Sequence, residues 1–330
     1  MYSRLGNSEL EEAALRGASI AVPNSPSAAW RLGNFLLQQQ RNEEAFPRLR
    51  AAAGHDGSLR APLFALAWKL LGDPQRIWAD LVPSDPDSRR DYFYFLAWTR
   101  NDLPAALPVW EEVARAPTED RKRDVLTIGS VFVNSLAEAG LGPEARRVWD
   151  DVLRLSGASA SSTQEQPNLI TNGDFEAALR DGGLDWRLFP EAGFQIAPDS
   201  FAAQHGARSL RVIFDGTANP DFAAVRQWVP VEPGRRYRLV GFLRTENIST
   251  DNGLYLSVAT QGAPPEESWE RTTENRVGTN PWTREQVDFQ TGPHTRIVQV
   301  VLRRRRSGKL NNLLVGNVWI DNLSLTSLPE

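Results

Sequence analysis

Acidic side chains mark the two ends of the second half of the sequence, each beside a short apolar stretch. Asp174 and Glu176 follow Asn-Leu-Ile-Thr-Asn-Gly at 168–173, and Asp321 lies within Val-Trp-Ile-Asp-Asn-Leu-Ser-Leu at 318–325. Carboxylate oxygens are preferred ligands of hard divalent cations. We therefore expect the first and last strands of this half to lie side by side and to share a cation.

A second set of side chains has the chemistry that sugar binding requires. Side chains alternate between the two faces of a strand, so the strands predicted around 226–231, 237–244, 254–258 and 296–302 each have an apolar row and a mixed row. If the apolar rows form the core, the mixed rows bring five residues to an outer sheet surface: Trp228, Arg244, Tyr255, Gln299 and Arg303.

Such a surface would suit a pyranose. Aromatic rings cover the apolar C–H face of the sugar, while amide and guanidinium groups bond to its hydroxyls. The sequence leaves an alternative open, in which Trp228 and Tyr255 cap a sheet edge or pack under a loop.

The residue types needed for catalysis show no catalytic pattern. His55, His205 and His294 are scattered over predicted loops, the chain has no cysteine, and neither a glycine-rich phosphate loop nor a nucleophile elbow occurs. A glycosidase depends on two carboxyl groups about 5–10 Å apart, which abundance of acidic residues does not reveal. We expect a protein that is not an enzyme.

The elements that would position these residues differ between the two halves. After Pro167 the sequence reads as short alternating strands separated by Gly, Pro, Asn and Asp, which predicts an all-β sandwich with few helices. Four motifs follow in order: Asn-Gly-Asp-Phe-Glu at 172–176, Gly-Ala-Arg-Ser-Leu-Arg-Val at 206–212, Val-Pro-Val-Glu-Pro-Gly at 229–234 with Tyr-Arg-Leu at 237–239, and Trp-Ile-Asp-Asn at 319–322.

Together these motifs resemble the jelly-roll carbohydrate-binding modules often appended to xylanases and other glycanases. The resemblance implies a β-sandwich jelly roll and a structural calcium ion. Its ligands would be the carboxylates of Glu176 and Asp321, with backbone oxygens near Asp174 and Ser209. Asn322 stands where the family often has a second acidic residue, which lowers the local negative charge. The alternative is that Asp174 and Asp321 cap turns or accept backbone hydrogen bonds.

The first half, from residue 9 to about 157, has the periodicity of helical hairpins broken at Pro or Gly. Its second helices share triplets spaced by four and three residues: Ala45, Leu49 and Ala52; Ala106, Trp110 and Val113; Ala145, Trp149 and Val152. With Trp-Arg-Leu-Gly-Asn-Phe at 30–35, this pattern resembles the tetratricopeptide repeat, whose period is about 34 residues.

The resemblance predicts an α-solenoid with irregular repeats. A shortened unit falls at 62–82, and Leu15 and Ala18 before Pro23 read as a second helix without its first, which suggests a fragment of a longer array. Stacked hairpins form a groove that binds a protein or peptide. Tyr92, Tyr94 and Arg100 are the groove candidates, whereas we expect the tryptophans of this half to pack between repeats.

Composition sets the domain organisation and excludes some partners. A small, polar stretch leads to the following division: helical repeat domain 1–156, linker 157–167 and jelly-roll domain 168–330.

With 37 basic and 41 acidic residues the net charge is −4, so the overall charge does not attract the chain to nucleic acid. The basic run Arg303–Arg306 would alternate between the two faces of a strand and protect a sheet edge. No apolar run of membrane-spanning length occurs, so we expect no membrane insertion.

The leading interpretation is a non-enzymatic protein that binds a polysaccharide or oligosaccharide through its sandwich and docks a protein through its helices. Its setting would be bacterial envelope or exopolysaccharide handling, in an extracytoplasmic location, with the targeting sequence outside this fragment. The alternative is a structural assembly protein whose sandwich contacts protein and binds no sugar.

Overall fold

The computed structural model describes residues 8–157 and 168–329. By its internal contacts the chain divides into two compact units, Met1–Asp120 and Arg121–Glu330. The first unit is helical, and the second combines a helical hairpin with a β-sandwich.

The helices occupy the first half of the chain, as predicted. Their bounds are α1 Ser8–Ala21, α2 Pro26–Gln38, α3 Asn42–His55, α4 Arg60–Leu71, α5 Pro74–Asp80, α6 Pro86–Tyr94, α7 Leu103–Ala114, α8 Glu119–Glu138 and α9 Gly142–Ser156. A π-helical turn, Phe95–Thr99, continues α6.

Helix boundaries in the first unit follow from local chemistry. The carboxylates of Asp73, Asp85 and Asp102 accept backbone N–H groups at the starts of α5, α6 and α7, each of which has proline in its first turn. Gly72 ends α4 in the left-handed conformation, with a φ of 62°. The turn between α4 and α5 therefore falls at Gly72 and Asp73.

Most residues of the repeated triplets lie on the buried faces of their helices. Ala45, Leu49 and Ala52 on α3 are buried, as are the alanine and tryptophan of the triplets on α7 and α9. Helical hairpins are therefore present, while their stacking as a tetratricopeptide-like solenoid stays a prediction.

The sandwich consists of two antiparallel sheets of five strands each. The strands are β1 Arg187–Leu188, β2 Phe194–Asp199, β3 Ser209–Asp215, β4 Phe222–Pro230, β5 Arg236–Ile248, β6 Tyr255–Thr260, β7 Glu270–Thr272, β8 Gly278–Gln290, β9 Ile297–Arg304 and β10 Val315–Ser327. Sheet A has the order β1-β4-β9-β6-β7, and sheet B has the order β2-β3-β10-β5-β8. Their apolar rows form one core, which is consistent with a jelly roll.

The predicted neighbourhood of the two ends of the sandwich is confirmed, although the first segment is not a strand. Residues 168–176 form turns beside β10, where Leu169 N–H donates to Leu325 O and Leu323 N–H donates to Gly173 O at 2.8 Å. After Pro167, the only helical turn in the described ranges is Pro265–Glu267.

The hairpin α8–α9 packs directly on the sandwich. At the hairpin turn, a Cβ on Gly142 would lie 2.0 Å from the carbonyl oxygen of Arg296, so only glycine allows this approach. The backbones of Gly140 and Gly262 also approach closely, since a Cβ on Gly140 would lie 3.0 Å from Gly262 Cα. The Gln261 amide donates to Glu138 O at 3.1 Å. The hairpin that the sequence groups with the helical repeats thus belongs to the same compact unit as the sandwich. Within the predicted linker 157–167, only Gly157 lies in the described ranges.

Candidate functional site

The outer face of sheet A brings together four of the five predicted sugar-binding residues. In the strand register, Trp228 on β4 lies opposite Gln299 on β9, which lies opposite Ala259 on β6. Two rows away on the same face, beyond Val301 and Ser257, Arg303 on β9 lies opposite Tyr255 on β6. We refer to this surface as the sheet A face.

Arg244 lies elsewhere, which corrects the prediction of one surface with five residues. It is on β5 in sheet B, where its guanidinium carbon is 4.7 Å from the centre of the Trp319 ring. Arg211 lies 5.0 Å from the same ring. Alternation assigns each side chain to the inside or outside of its strand, but the sheet to which a strand belongs is set by long-range pairing.

Trp228 is buried rather than exposed to solvent. Only 4% of its surface is accessible, and helix α9 packs on its strand. The guanidinium carbon of Arg187 lies 4.6 Å from the centre of its ring. The expected exposure is therefore wrong, and part of the cover is a helix from earlier in the chain rather than the sheet edge or loop of the alternative interpretation.

The rest of the predicted surface is more open. Tyr255, Gln299 and Arg303 are each half-buried, and the Gln299 amide makes no hydrogen bond to the residues that the structure describes. Arg303 is 3.4 Å from the carboxylate of Asp221. The register partner of Gln299 on β6 is the small residue Ala259. We call Tyr255, Gln299 and Arg303 the open patch.

Two arginines adjoin the buried tryptophan. Arg187 on β1 is the register partner of Arg226 on β4, and both guanidinium groups lie over the Phe189 ring, at 5.1 and 3.9 Å from its centre. Burial lowers the pKa of Arg226, and the neighbouring charge of Arg187 lowers it further. Sequence analysis did not identify this pair, since only the register of the two-residue strand β1 brings it together.

The residues of the predicted calcium site meet at one end of sheet B. Asp321 is fully buried, and one of its oxygens accepts the N–H groups of Gln204 at 2.7 Å and His205 at 3.0 Å. One oxygen of Glu176 accepts the N–H groups of Ala207 and Arg208 at 2.7 and 2.8 Å.

These contacts determine the electrostatics of the two carboxylates. Burial raises the pKa of Asp321, and the nearby charge of Glu176 adds to this effect. The two backbone N–H donors lower the pKa of Glu176. Ser209 donates its hydroxyl proton to Ala202 O, and Asp174 is exposed, with one long hydrogen bond of 3.5 Å from Glu176 N–H.

Calcium needs six to eight oxygen ligands. Backbone N–H groups donate to both oxygens of Asp321 and to one oxygen of Glu176, and within the described ranges no three acidic or histidine side chains are grouped to hold a metal. The hydrogen bonds of Asp321 agree with the alternative in which it accepts backbone N–H groups. Calcium binding here stays a prediction.

The basic run does not form a patch for nucleic acid. Arg304 is fully buried, and its guanidinium donates to Asn252 O, Asn219 Oδ1, Pro220 O and Thr250 Oγ1, which ties two loops together. Arg303 and Arg305 pair with the acidic side chains of Asp221 and Glu270. The predicted alternation holds for Arg303 and Arg304, whereas Arg305 and Arg306 are both exposed beyond the end of β9. The expected protection of a sheet edge is wrong, because β9 lies between β4 and β6 inside sheet A.

No helix in the described part of the chain has both the length and the apolar character of a membrane span. No protein-family model and no curated protein matches the sequence.

Solved structures of carbohydrate-binding modules are similar to about half of the chain. A family 16 carbohydrate-binding module is 21% identical, with a TM-score of 0.32, and the match covers 48% of this chain and 99% of that one. The CBM22-1 xylan-binding domain of Paenibacillus barcinonensis Xyn10C is 12% identical, with a TM-score of 0.36 and coverages of 51% and 99%. A CBM4 structure is 12% identical, with a TM-score of 0.32 and coverages of 48% and 99%.

Proposed function

We propose that this protein is a non-enzymatic glycan-binding protein whose sugar contacts lie on the open patch of the sheet A face. The observation that carries the proposal is the grouping of an aromatic ring, an unpaired amide and a guanidinium on adjacent, rigid strands. Tyr255 offers a stacking surface, while Gln299 and Arg303 offer donors and an acceptor for sugar hydroxyls. Such groups need little reorganisation on binding because the sheet fixes their strands.

A second function, the docking of a protein by the helical unit, completes the proposal. Tyr94 and Trp98 are 38% and 37% exposed, and their ring centres are 4.8 Å apart. Exposed aromatic side chains are enriched at protein interfaces. We place the protein in an extracytoplasmic setting, where polysaccharides and their handling machinery meet.

One observation favours the alternative of a structural assembly protein. The sheet A face already contacts protein within the same chain, because α9 packs on β4 and the hairpin turn contacts the residue preceding β9. A face that binds its own helices can also be used to assemble with other proteins. The two functions are separated by whether the open patch binds a sugar.

The test uses the full chain and a panel of plant and bacterial polysaccharides in affinity electrophoresis, followed by calorimetry on any ligand found. We expect Tyr255→Ala to weaken binding at least tenfold, which corresponds to about 1.4 kcal/mol. Phe201→Ala is the matched control, since that ring is fully exposed on a loop after β2. Absence of glycan binding would support the assembly function instead, whereas equal binding by the Tyr255→Ala variant would place the sugar outside the open patch.

A further inference from the structure

Arg187 and Arg226 form a close pair of like charges at the junction between the hairpin α8–α9 and sheet A. The two residues are directly opposite each other on β1 and β4 and share the Phe189 ring. Like charges at directly opposed positions destabilise a sheet unless something compensates them. The only carboxylate in ion-pair range within the described part of the chain is Glu138, 3.9 Å from Arg187, and its side chain is 62% exposed.

Hydrogen-bond donors at this junction also lack partners. Three donor atoms are buried and make no hydrogen bond to the described residues: Arg187 Nη1, Arg226 Nε and the indole Nε1 of Trp228. An unpaired buried donor costs roughly 1–3 kcal/mol, and such atoms are few in folded proteins. Three of them on residues in mutual contact indicate that an acceptor belongs there.

The missing partner can be described by its chemistry. Two guanidinium groups and an indole N–H supply donors only, so the partner must offer acceptors, and the excess positive charge favours an anion. Guanidinium groups bind planar carboxylates in a two-pronged geometry. The Arg187 side chain is 19% exposed and Arg226 is half-buried, so parts of both side chains reach the surface, and an anion contacts the three buried donor atoms once the side chains around them shift.

We propose that Arg187, Arg226 and Trp228 form a binding site for an oxyanion, with the carboxylate of a uronic acid as its natural ligand. The two guanidinium groups hold the anion, and Trp228 Nε1 donates a third hydrogen bond. The anion compensates the like charges of the arginine pair. This site is separate from the open patch and does not require that the open patch binds sugar.

The test measures binding of sodium glucuronate to the full chain by calorimetry. Glucose, measured at the same ionic strength, is the neutral control, and sodium sulfate is the control for an anion without a sugar ring. We expect saturable glucuronate binding and none for glucose. Sulfate binding that depends on Arg226 would also support an oxyanion site and would identify a free anion as its ligand. No binding of either anion would overturn the proposal.

Substitutions then locate the site. Arg226→Met is expected to weaken glucuronate binding at least tenfold, whereas Arg284→Met, which removes an exposed arginine on β8, leaves it unchanged. If Arg226→Met does not fold, Arg226→Lys is used instead. Lysine keeps the positive charge but cannot donate two parallel hydrogen bonds to a carboxylate, so we expect several-fold weaker glucuronate binding. Unchanged affinity in a folded Arg226 variant would overturn the proposal.

A spectroscopic measurement separates binding at this site from a general effect of salt. The indole N–H resonance of Trp228, assigned by its loss in Trp228→Phe, is expected to shift with glucuronate at the concentrations that saturate the calorimetric signal. An indole resonance that stays in place during saturation would place the anion elsewhere and overturn the site.

Discussion

At the scale of single residues, Asp321 holds the turn after β2 against the middle of β10. Its carboxylate accepts three backbone N–H groups, from Gln204, His205 and Asn322. Asp321→Ala leaves these donors without their acceptor inside a buried site, so we expect the free energy of unfolding to fall by at least about 2 kcal/mol. Denaturant unfolding of the full chain measures this loss. Asp174→Ala, which removes an exposed carboxylate from the same region, is expected to change little.

The same two variants test the predicted calcium ion. If hydrogen bonds alone hold this region, the loss in Asp321→Ala is the same with millimolar calcium and with chelator. A melting temperature of the unsubstituted chain that rises with calcium, combined with no rise in Asp321→Ala, would establish the ion at this carboxylate.

Some residue environments follow from the sequence and others do not. The inward Arg304 and outward Arg303 follow from alternation along one strand, which is a local property. The burial of Trp228 depends on α9, which lies more than seventy residues earlier in the chain. The residues next to Trp228 in the sequence therefore do not predict its burial. The arginine pair depends in the same way on the register of a two-residue strand.

At the scale of elements, the contact between the hairpin turn and the sandwich rests on backbone atoms. A Cβ at Gly142 would lie 2.0 Å from Arg296 O and 2.8 Å from its carbonyl carbon, so Gly142→Ala must displace backbone. We expect a loss of about 1–3 kcal/mol in the free energy of unfolding, as for other overpacked sites. Gly308→Ala is the control, because a Cβ there meets no atom within 4 Å. Equal stability of the two variants would mean that the hairpin turn can move away without loss.

Element boundaries in the first half are predictable because proline, glycine and aspartate determine them locally, as at Gly72 and Asp73. The segment 168–173 shows the limit of this approach. It has a strand-like apolar pattern, yet it is not a strand. The side chain of Asn168 bonds to backbone groups of β10, and the turn that follows makes further hydrogen bonds to that strand. A pattern of apolar residues identifies a buried segment but not the way in which its backbone is paired.

At the scale of the whole molecule, the compact second unit begins well before the predicted linker. A fragment 121–330 retains the hairpin, whereas a fragment 168–330 exposes Trp228 and Ile297, which are 4% and 0% accessible in the chain. Burial of one large apolar side chain contributes about 1.5–3 kcal/mol. We therefore expect the shorter fragment to melt at a clearly lower temperature, or not to fold. Equal melting temperatures, measured by circular dichroism, would restore the predicted boundary at 157–167.

The position of β10 also determines when the second unit can form during synthesis. This strand is the last of the sandwich in the sequence, yet it lies between β3 and β5 at the centre of sheet B. Until the ribosome has released Val315–Ser327, β3 and β5 have no strand between them, and their unpaired edges and apolar rows stay exposed. We therefore expect the sandwich to close only after translation of its last strand, and a nascent chain that stalls before Val315 to be prone to aggregation and to need chaperones.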